Sequence, residues 1–349
     1  MYWFTNDYSE NACPEILDKL ISTNFERDYA YSNDEHSRNA AKLIKEKIKR
    51  DDVEVQIMSG GTQTNLIAIT AFLRPHEAVI TTEKGHIFEH ETGSVESTGH
   101  KCIAVSGKEG KIAPEDVRNV CGPQYWNNAG ILQVKPKMVY ISNSTELGTI
   151  YSANELYELR KVCNEYNLLF YMDGARLGMA LACSDVSYEM LPEIFDAFYI
   201  GGTKNGALFG EALVIVNDSL KDDFRYIAKQ RGGMLAKGWI LGIQFEVLMT
   251  GNLYVKNGKH ANEMAMILKK GLLDMDIPFA VDSPSNQQFP ILPDNILERL
   301  KDNFTWEIIK KVDEHHTEIR LVTSWATEQE SVYKLLNAIR IAKSGVSNE

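Results

Sequence analysis

The chain has 349 residues, more than one hydrophobic core usually fills, so a large and a smaller domain are expected. With 44% hydrophobic and 24% charged residues it has a globular composition, and a net charge of −11 without a basic tract argues against nucleic acid or anionic membrane as partners. No window approaches a membrane span, the start Met1-Tyr-Trp-Phe-Thr-Asn-Asp lacks signal-peptide order, and Cys13, Cys102, Cys121, Cys163 and Cys183 have no CxxC spacing, so a cytoplasmic protein with reduced thiols is expected.

Between about residues 53 and 216, short apolar runs alternate with helical patterns, as an α/β protein with a doubly wound, mostly parallel sheet requires. Strands are predicted at Val53–Met58, Ala78–Thr82, Lys101–Ser106, Met138–Ser142, Leu168–Asp173, Ala197–Gly201 and Ala212–Val216. The first runs through Ser59-Gly60-Gly61-Thr62 into Leu66–Leu73, which is apolar nearly all round and reads as a helix, starting near Thr62, buried against the sheet. Pro114-Glu115-Asp116 opens a short helix. Ser152 and Glu155 form a capping box ahead of the apolar face Leu156, Leu159, Cys163 and Tyr166.

Past about residue 250 the pattern changes. A long helix, Val255–Asp274, precedes strands at Ile277–Val281 and Gln287–Leu292, a helix at Asp294–Lys301, strands at Phe304–Ile308 and Ile319–Thr323, a helix from Glu328, and a frayed tail from Ser344. The expected organisation is therefore an N-terminal arm and large domain over 1–250 and a small C-terminal α+β domain over 251–349, packed together without a flexible linker.

Three stretches carry chemistry. In Asp196-Ala-Phe-Tyr-Ile-Gly-Gly-Thr-Lys-Asn-Gly an apolar strand delivers Lys204 beside a glycine turn; Leu168–Met172 ends in Asp173-Gly-Ala-Arg176. Both strand ends open on the rim where α/β proteins bind ligands. A lysine among apolar neighbours loses its proton more easily and attacks carbonyls, and a carboxylate opposite it can hold a pyridinium nitrogen protonated. That pair is what a pyridoxal phosphate (PLP) enzyme requires. Ser59-Gly60-Gly61-Thr62-Gln63-Thr64-Asn65 offers a helix start to a single phosphate and matches neither GxxxxGK[ST] nor GxGxxG. His86, in Thr82-Glu-Lys-Gly-His-Ile-Phe-Glu-His90, can lie flat over a bound heterocycle. With His90, Glu89 and Glu91 it also invites a metal reading, which the lack of H-E-x-x-H order and of a third ligand sets aside.

The chain resembles the threonine aldolase and β-eliminating lyase group of fold-type-I PLP enzymes, and within it the low-specificity L-threonine aldolases. The matching stretches run in family order: Asn6-Asp7-Tyr8-Ser9, Cys13-Pro14-Glu15, Ala30-Tyr31-Ser32-Asn33-Asp34, Gly60-Gly61-Thr62, Gly85-His86, Ser144-Thr145-Glu146-Leu147-Gly148-Thr149, Met172-Asp173-Gly174-Ala175-Arg176, Gly201-Gly202-Thr203-Lys204-Asn205-Gly206 and Arg320 in Glu318-Ile-Arg-Leu-Val-Thr-Ser-Trp325. The resemblance implies retro-aldol cleavage of L-threonine, L-allo-threonine and related β-hydroxy-α-amino acids to glycine and an aldehyde. Lys204, Asp173 and His86 are then catalytic. Gly61, Thr62, Arg176, Thr203 and Lys237 join them in holding the cofactor, and Arg176, Arg320, Tyr31, Asn6 and Glu146 meet the substrate. It further implies a homo-oligomer, dimer or tetramer, with the site near the subunit interface and Tyr31 and Lys237 entering from a neighbouring subunit. Many members carry a second histidine where this chain has Ser144-Thr145-Glu146, so Glu146, His86 and an ordered water all remain open as acceptors of the β-hydroxyl proton. A β-eliminating lyase acting on a related amino acid and a silent PLP-binding homologue are the alternatives.

Overall fold

A computed structural model describes residues 1–122 and 130–345. Seven strands form the main sheet: β1 (Glu54–Met58), β2 (Glu77–Thr82), β3 (Cys102–Val105), β4 (Lys135–Ser142), β5 (Leu169–Asp173), β6 (Ala197–Gly201) and β7 (Glu211–Ile215). Their spatial order is β1-β7-β6-β5-β4-β2-β3. β7 runs antiparallel to both its neighbours, whereas β6, β5, β4, β2 and β3 pair in parallel. The seven predicted strands are all present, with ends moved by up to three residues.

Strand side chains alternate between faces, and this parity decides what meets at the site. Phe170 and Met172 join one hydrophobic core with Val139, Ile141, Phe198 and Ile200. Leu169 and Tyr171 face the other way, with Met138, Tyr140, Ala197 and Tyr199. Asp173, two residues beyond Tyr171, shares its parity and that of Tyr140 and Tyr199 on the two adjacent strands. The helix Gly61–Phe72 covers that face through Ile67, Ala68, Ile69 and Phe72. The capping box is also formed: Ser152 Oγ accepts from Glu155 N at 3.3 Å, and Glu155 Oε2 accepts from Ser152 N at 2.8 Å, opening the helix Ala153–Glu165.

A second core gathers Phe4, Leu268, Leu272, Ile319, Leu321, Leu335 and Ile339 between the helices Leu253–Leu273 and Gln329–Ser344 and a small sheet. Prolines explain where this region departs from expectation. Ile277–Val281 contains Pro278 and forms only an isolated bridge, Phe279 to Pro290, instead of a strand. Gln287–Leu292 is broken at Pro290 into β8 (Gln287–Gln288) and β9 (Ile291–Pro293), since proline cannot donate to the ladder. The strand placed at Phe304–Ile308 is instead β10 (Glu307–Lys311), and Phe304 bridges Tyr2 of the N-terminal arm. β11 (His316–Val322) pairs with β8, β9 and β10. The last helix runs through Ser344, and the tail expected beyond it lies at 346–349, outside the described residues.

Helices at Pro14–Ser22, Glu35–Ile48, Leu177–Cys183, Phe224–Gln230 and Trp239–Met249 were not expected. Among the described residues no helix is long and apolar enough to cross a membrane. The helix behind Arg176, Leu177–Cys183, packs on Leu253–Leu273 with no room for a side chain: a Cβ at Gly258 would lie 2.3 Å from the Gly178 carbonyl. Gly258→Ala should therefore force these helices apart and lower stability by about 1–3 kcal/mol, the usual range for overpacking. Denaturant unfolding checks this, and an unchanged midpoint would contradict the close approach.

Candidate active site

The Asp173 carboxylate is buried at the end of β5 and almost fully bonded. Oδ2 accepts from Tyr140 Oη at 2.6 Å and Asn65 Nδ2 at 3.0 Å; Oδ1 accepts from Tyr199 Oη at 2.5 Å and the Ala175 amide at 3.0 Å. Burial alone would raise its pKa, but the His86 charge and the hydrogen bonds from Tyr140, Tyr199 and Asn65 outweigh it and hold the pKa below the usual value. Asp173 is an anion inside the protein.

Asn65 links this anion to a second one. Its Oδ1 accepts from Tyr171 Oη at 3.1 Å, and its two amide hydrogens go to Asp173 and to Glu91 Oε1 at 2.8 Å. Glu91 also accepts from Ser94 Oγ at 2.5 Å and meets His86 Nδ1 at 2.8 Å. Burial pulls the His86 pKa down, yet the Glu91 hydrogen bond and the Asp173 charge raise it above its ordinary value. With Nδ1 committed to Glu91, Nε2 is the ring nitrogen left for a ligand.

Lys204 follows β6 and makes no hydrogen bond or ion pair among the described residues; its Nζ lies 5.9 Å from the centre of the Tyr8 ring. Burial, and then the Arg176 charge, lower its pKa. Beneath its turn, buried Glu211 of β7 accepts from Gly202 N at 3.1 Å and Thr203 Oγ1 at 2.8 Å, and burial pushes the Glu211 pKa up to about 8. Thr203 Oγ1 also accepts from Gly210 N at 3.0 Å, so its hydroxyl fastens the turn.

Lys204, His86, Glu146, Arg176 and Arg320 line one cleft of about 450 Å³, joined by Thr5 and Tyr8 of the N-terminal arm. A wider groove of about 730 Å³ beside Val247, Leu253 and Val255 contains none of them. Volume alone does not pick the site. Arg176 forks onto Asp7, Nε to Oδ2 at 2.7 Å and Nη2 to Oδ1 at 3.1 Å, while Asn286 Nδ2 donates to Asp7 Oδ2 at 2.9 Å. Arg320 pairs with Glu307 and reaches Gln287 Oε1 at 3.3 Å, but its buried Nε has no partner among the described residues.

The remaining expected residues lie elsewhere. Asn6 Oδ1 caps its own turn, accepting from Tyr8 N at 3.1 Å and Ser9 Oγ at 2.8 Å, and does not line the cleft. Tyr31 and Lys237 are exposed neighbours away from it, with Tyr31 N donating to Ala236 O at 3.3 Å.

The residues present fit PLP. A buried anion and a lysine without an ion-pair partner among the described residues sit on adjoining strand ends. Gly60 places no capping side chain over the helix Gly61–Phe72, leaving its first amides for a phosphate. Gly61 suits that start, because a Cβ there would stand 3.0 Å from the Tyr199 oxygen that grips Asp173, a tight contact. Among the described residues no group of three His, Cys, Asp or Glu is placed to hold a metal ion.

The beta-eliminating lyase family model matches residues 5–292. The chain belongs to that family. It is 30% identical over 349 residues to a low specificity L-threonine aldolase from Pseudomonas sp. (strain NCIMB 10558), covering 98% of each chain. A solved threonine aldolase from Leishmania major superposes with a TM-score of 0.95 at 44% identity, covering 99% of this chain and 100% of that one. A Thermus thermophilus aspartate aminotransferase, 14% identical and covering 98% of this chain and 96% of that one, gives a TM-score of 0.70, a likeness of fold alone. The architecture is the fold-type-I one expected from the sequence.

Sequence reasoning missed Asn65, Glu91, Tyr140, Tyr199, Asp7 and Glu211 in this family site. Strand parity could have found the tyrosines. Asn65, polar in an apolar helix beside a glycine cup, was the other signal.

Glu91→Gln should lower the His86 titration midpoint, because a neutral amide no longer favours the charged ring. A histidine whose pKa is raised on folding stabilises the folded chain below its unfolded value of 6.5, and this is lost as pH rises through the folded value. The stability deficit of Glu91→Gln against the parent should thus be larger near ~pH 6 than near ~pH 9. Denaturant melts at the two pH values test it; an equal deficit at both would contradict the charged pair.

Proposed function

We propose that this chain is a PLP-dependent lyase that cleaves L-threonine, L-allo-threonine and related β-hydroxy-α-amino acids to glycine and an aldehyde. The observation that carries the reading is Lys204 on a cleft that His86 and two guanidinium groups also line, with the buried Asp173 anion on the adjoining strand end, its charge acting on both Lys204 and His86. When bound, PLP supplies an electron sink conjugated to the substrate Cα. Lys204 would hold it covalently through its amine, Asp173 would keep its ring nitrogen protonated, and Gly61 and Thr62 would meet its phosphate. His86, steadied by Glu91, would cover the ring.

Arg320 is the stronger carboxylate grip. Arg176 already spends its fork on Asp7, whereas Arg320 has a buried Nε to satisfy and a half-exposed partner, Glu307, that a substrate carboxylate can displace. Holding the carboxylate orients the Cα–Cβ bond for cleavage.

A homo-oligomer, dimer or tetramer, and a cytoplasmic location belong to the same reading. So does a division near residue 250, amended by Phe4, which packs in the smaller core. Tyr31 and Lys237 would reach a partner's cleft; the exposure of Tyr29 (74%) and Tyr226 (79%) near them supports a contact surface there. Sedimentation of the purified protein reads the oligomeric state directly.

Supplied with PLP, the protein should convert L-threonine to glycine and acetaldehyde in equal amounts, and Lys204→Ala should abolish this. Release of 2-oxobutanoate and ammonia instead would establish β-elimination. Borohydride reduction should place the pyridoxyl label on Lys204; a label on another lysine would overturn the assignment.

Arg320→Lys keeps the charge but loses the planar fork. A higher KM with reduced turnover and an unchanged melting temperature is expected. A lower melting temperature with the parental KM would make Arg320 a structural ion pair only.

A further inference from the structure

The acceptor of the β-hydroxyl proton is the open step in the proposed reaction, and the walls of the cleft distinguish the candidates. Glu146 stands on a short turn after β4 that is tied at several points: Gly148 N donates to Thr145 O at 2.9 Å, Thr145 N to Thr149 O at 2.9 Å, and Gln287 Nε2 to Thr145 O at 3.1 Å. Its carboxylate is steered as well. Ser142 Oγ donates to Oε1 at 2.6 Å and the His86 backbone amide donates to the same oxygen at 3.1 Å, so Oε2 is the oxygen presented to the cleft that Glu146 lines with Lys204, Arg176 and Arg320.

We infer that Glu146 is the general base that takes the β-hydroxyl proton, and that Ser142 and the His86 amide are the groups that aim it. The inference rests on the aldolase reading above. Glu146 Oε2 accepts the hydroxyl proton, the O–H electron pair becomes the second bond of the aldehyde, and the Cα–Cβ bond breaks with its pair left at Cα, the carbon for which PLP, when bound, would supply the electron sink. Cα then takes a proton and Glu146 returns its own to solvent. Threonine is thereby partitioned into glycine and acetaldehyde with no net gain or loss of protons.

His86 is less suited to the step. Its Nδ1 faces Glu91 and its ring feels Asp173, two acids that favour the protonated ring, which has no lone pair to accept with. Burial, followed by the Asp173 charge, raises the Glu146 pKa despite the Ser142 hydrogen bond, which makes it a stronger base than an exposed carboxylate. Glu146 also lies on the chain segment where many family members were noted above to carry a histidine, so one proton acceptor stands in place of another.

The test separates cleavage from the events at Cα. Exchange of the glycine Cα–H for deuterium requires the cofactor, Lys204 and the carboxylate grip, but no β-hydroxyl base. Holoenzyme of Glu146→Gln should lose L-threonine cleavage by roughly 10²–10⁴-fold, the range for removing a general base, while keeping glycine exchange within about threefold and its dissociation constant for glycine unchanged. Glu146→Asp, which keeps a carboxylate on a shorter stem, should recover part of the cleavage. Parental cleavage by Glu146→Gln would overturn the inference. So would an equal loss of cleavage and exchange, because Glu146 would then be shaping the site as a whole. Failure of the parent to release glycine from L-threonine would instead defeat the aldolase reading itself.

Discussion

A carboxylate kept ionised inside the sheet is the constraint on which the rest of this site depends. Burying an unpaired carboxylate costs several kcal/mol, roughly, and a lone buried acid normally takes up a proton to avoid that cost. Asp173 avoids it by collecting four donors from four places: Tyr140 on β4, Tyr199 on β6, Asn65 on the covering helix, and the Ala175 amide just beyond its own strand. The parallel registry of three strands and the seating of one helix must all hold for the charge to survive. The fold and the chemistry therefore share one set of hydrogen bonds.

Three of the basic groups that line the cleft each meet an acid. Asp7 reaches in from the N-terminal arm to Arg176, Glu307 from the small sheet to Arg320, and Glu91 from beside the covering helix to His86. Lys204 is left without such a partner among the described residues. The arm ties the smaller core to the cleft: Phe4 sits in that core, Val322 N donates to Phe4 O at 2.8 Å, and three residues later Asp7 is fully buried against Arg176. A substrate carboxylate at Arg320 would therefore exchange one ion pair for another.

Much of this was legible in the sequence, for identifiable reasons. Strands buried in a sheet stand out as short apolar runs, and all seven could be read directly, as could the Ser152 capping box. Lys204 and Asp173 were visible because strand ends are where such folds expose chemistry. Long-range partners were not. Nothing local in Asp7 announces Arg176, 169 positions away, and nothing in Glu91 announces Asn65. The proline-rich stretch from Pro278 to Pro293 misled in the opposite direction, since its apolar residues look like strands while its missing amides break them. Amphipathic helices such as Glu35–Ile48, buried through Ala40, Ile44 and Ile48, carried a readable period that went unread.

The proposed role of Asp173 depends on its charge, and replacing it with an isosteric neutral group tests this most directly. Asp173→Asn keeps the shape of the group and can still meet Tyr140 and Tyr199, but it cannot hold a pyridinium nitrogen protonated. The purified variant should retain PLP while turnover of L-threonine falls by about 100-fold or more, as for loss of a preorganised charge in an active site. Near-parental turnover in a variant that binds PLP would contradict it.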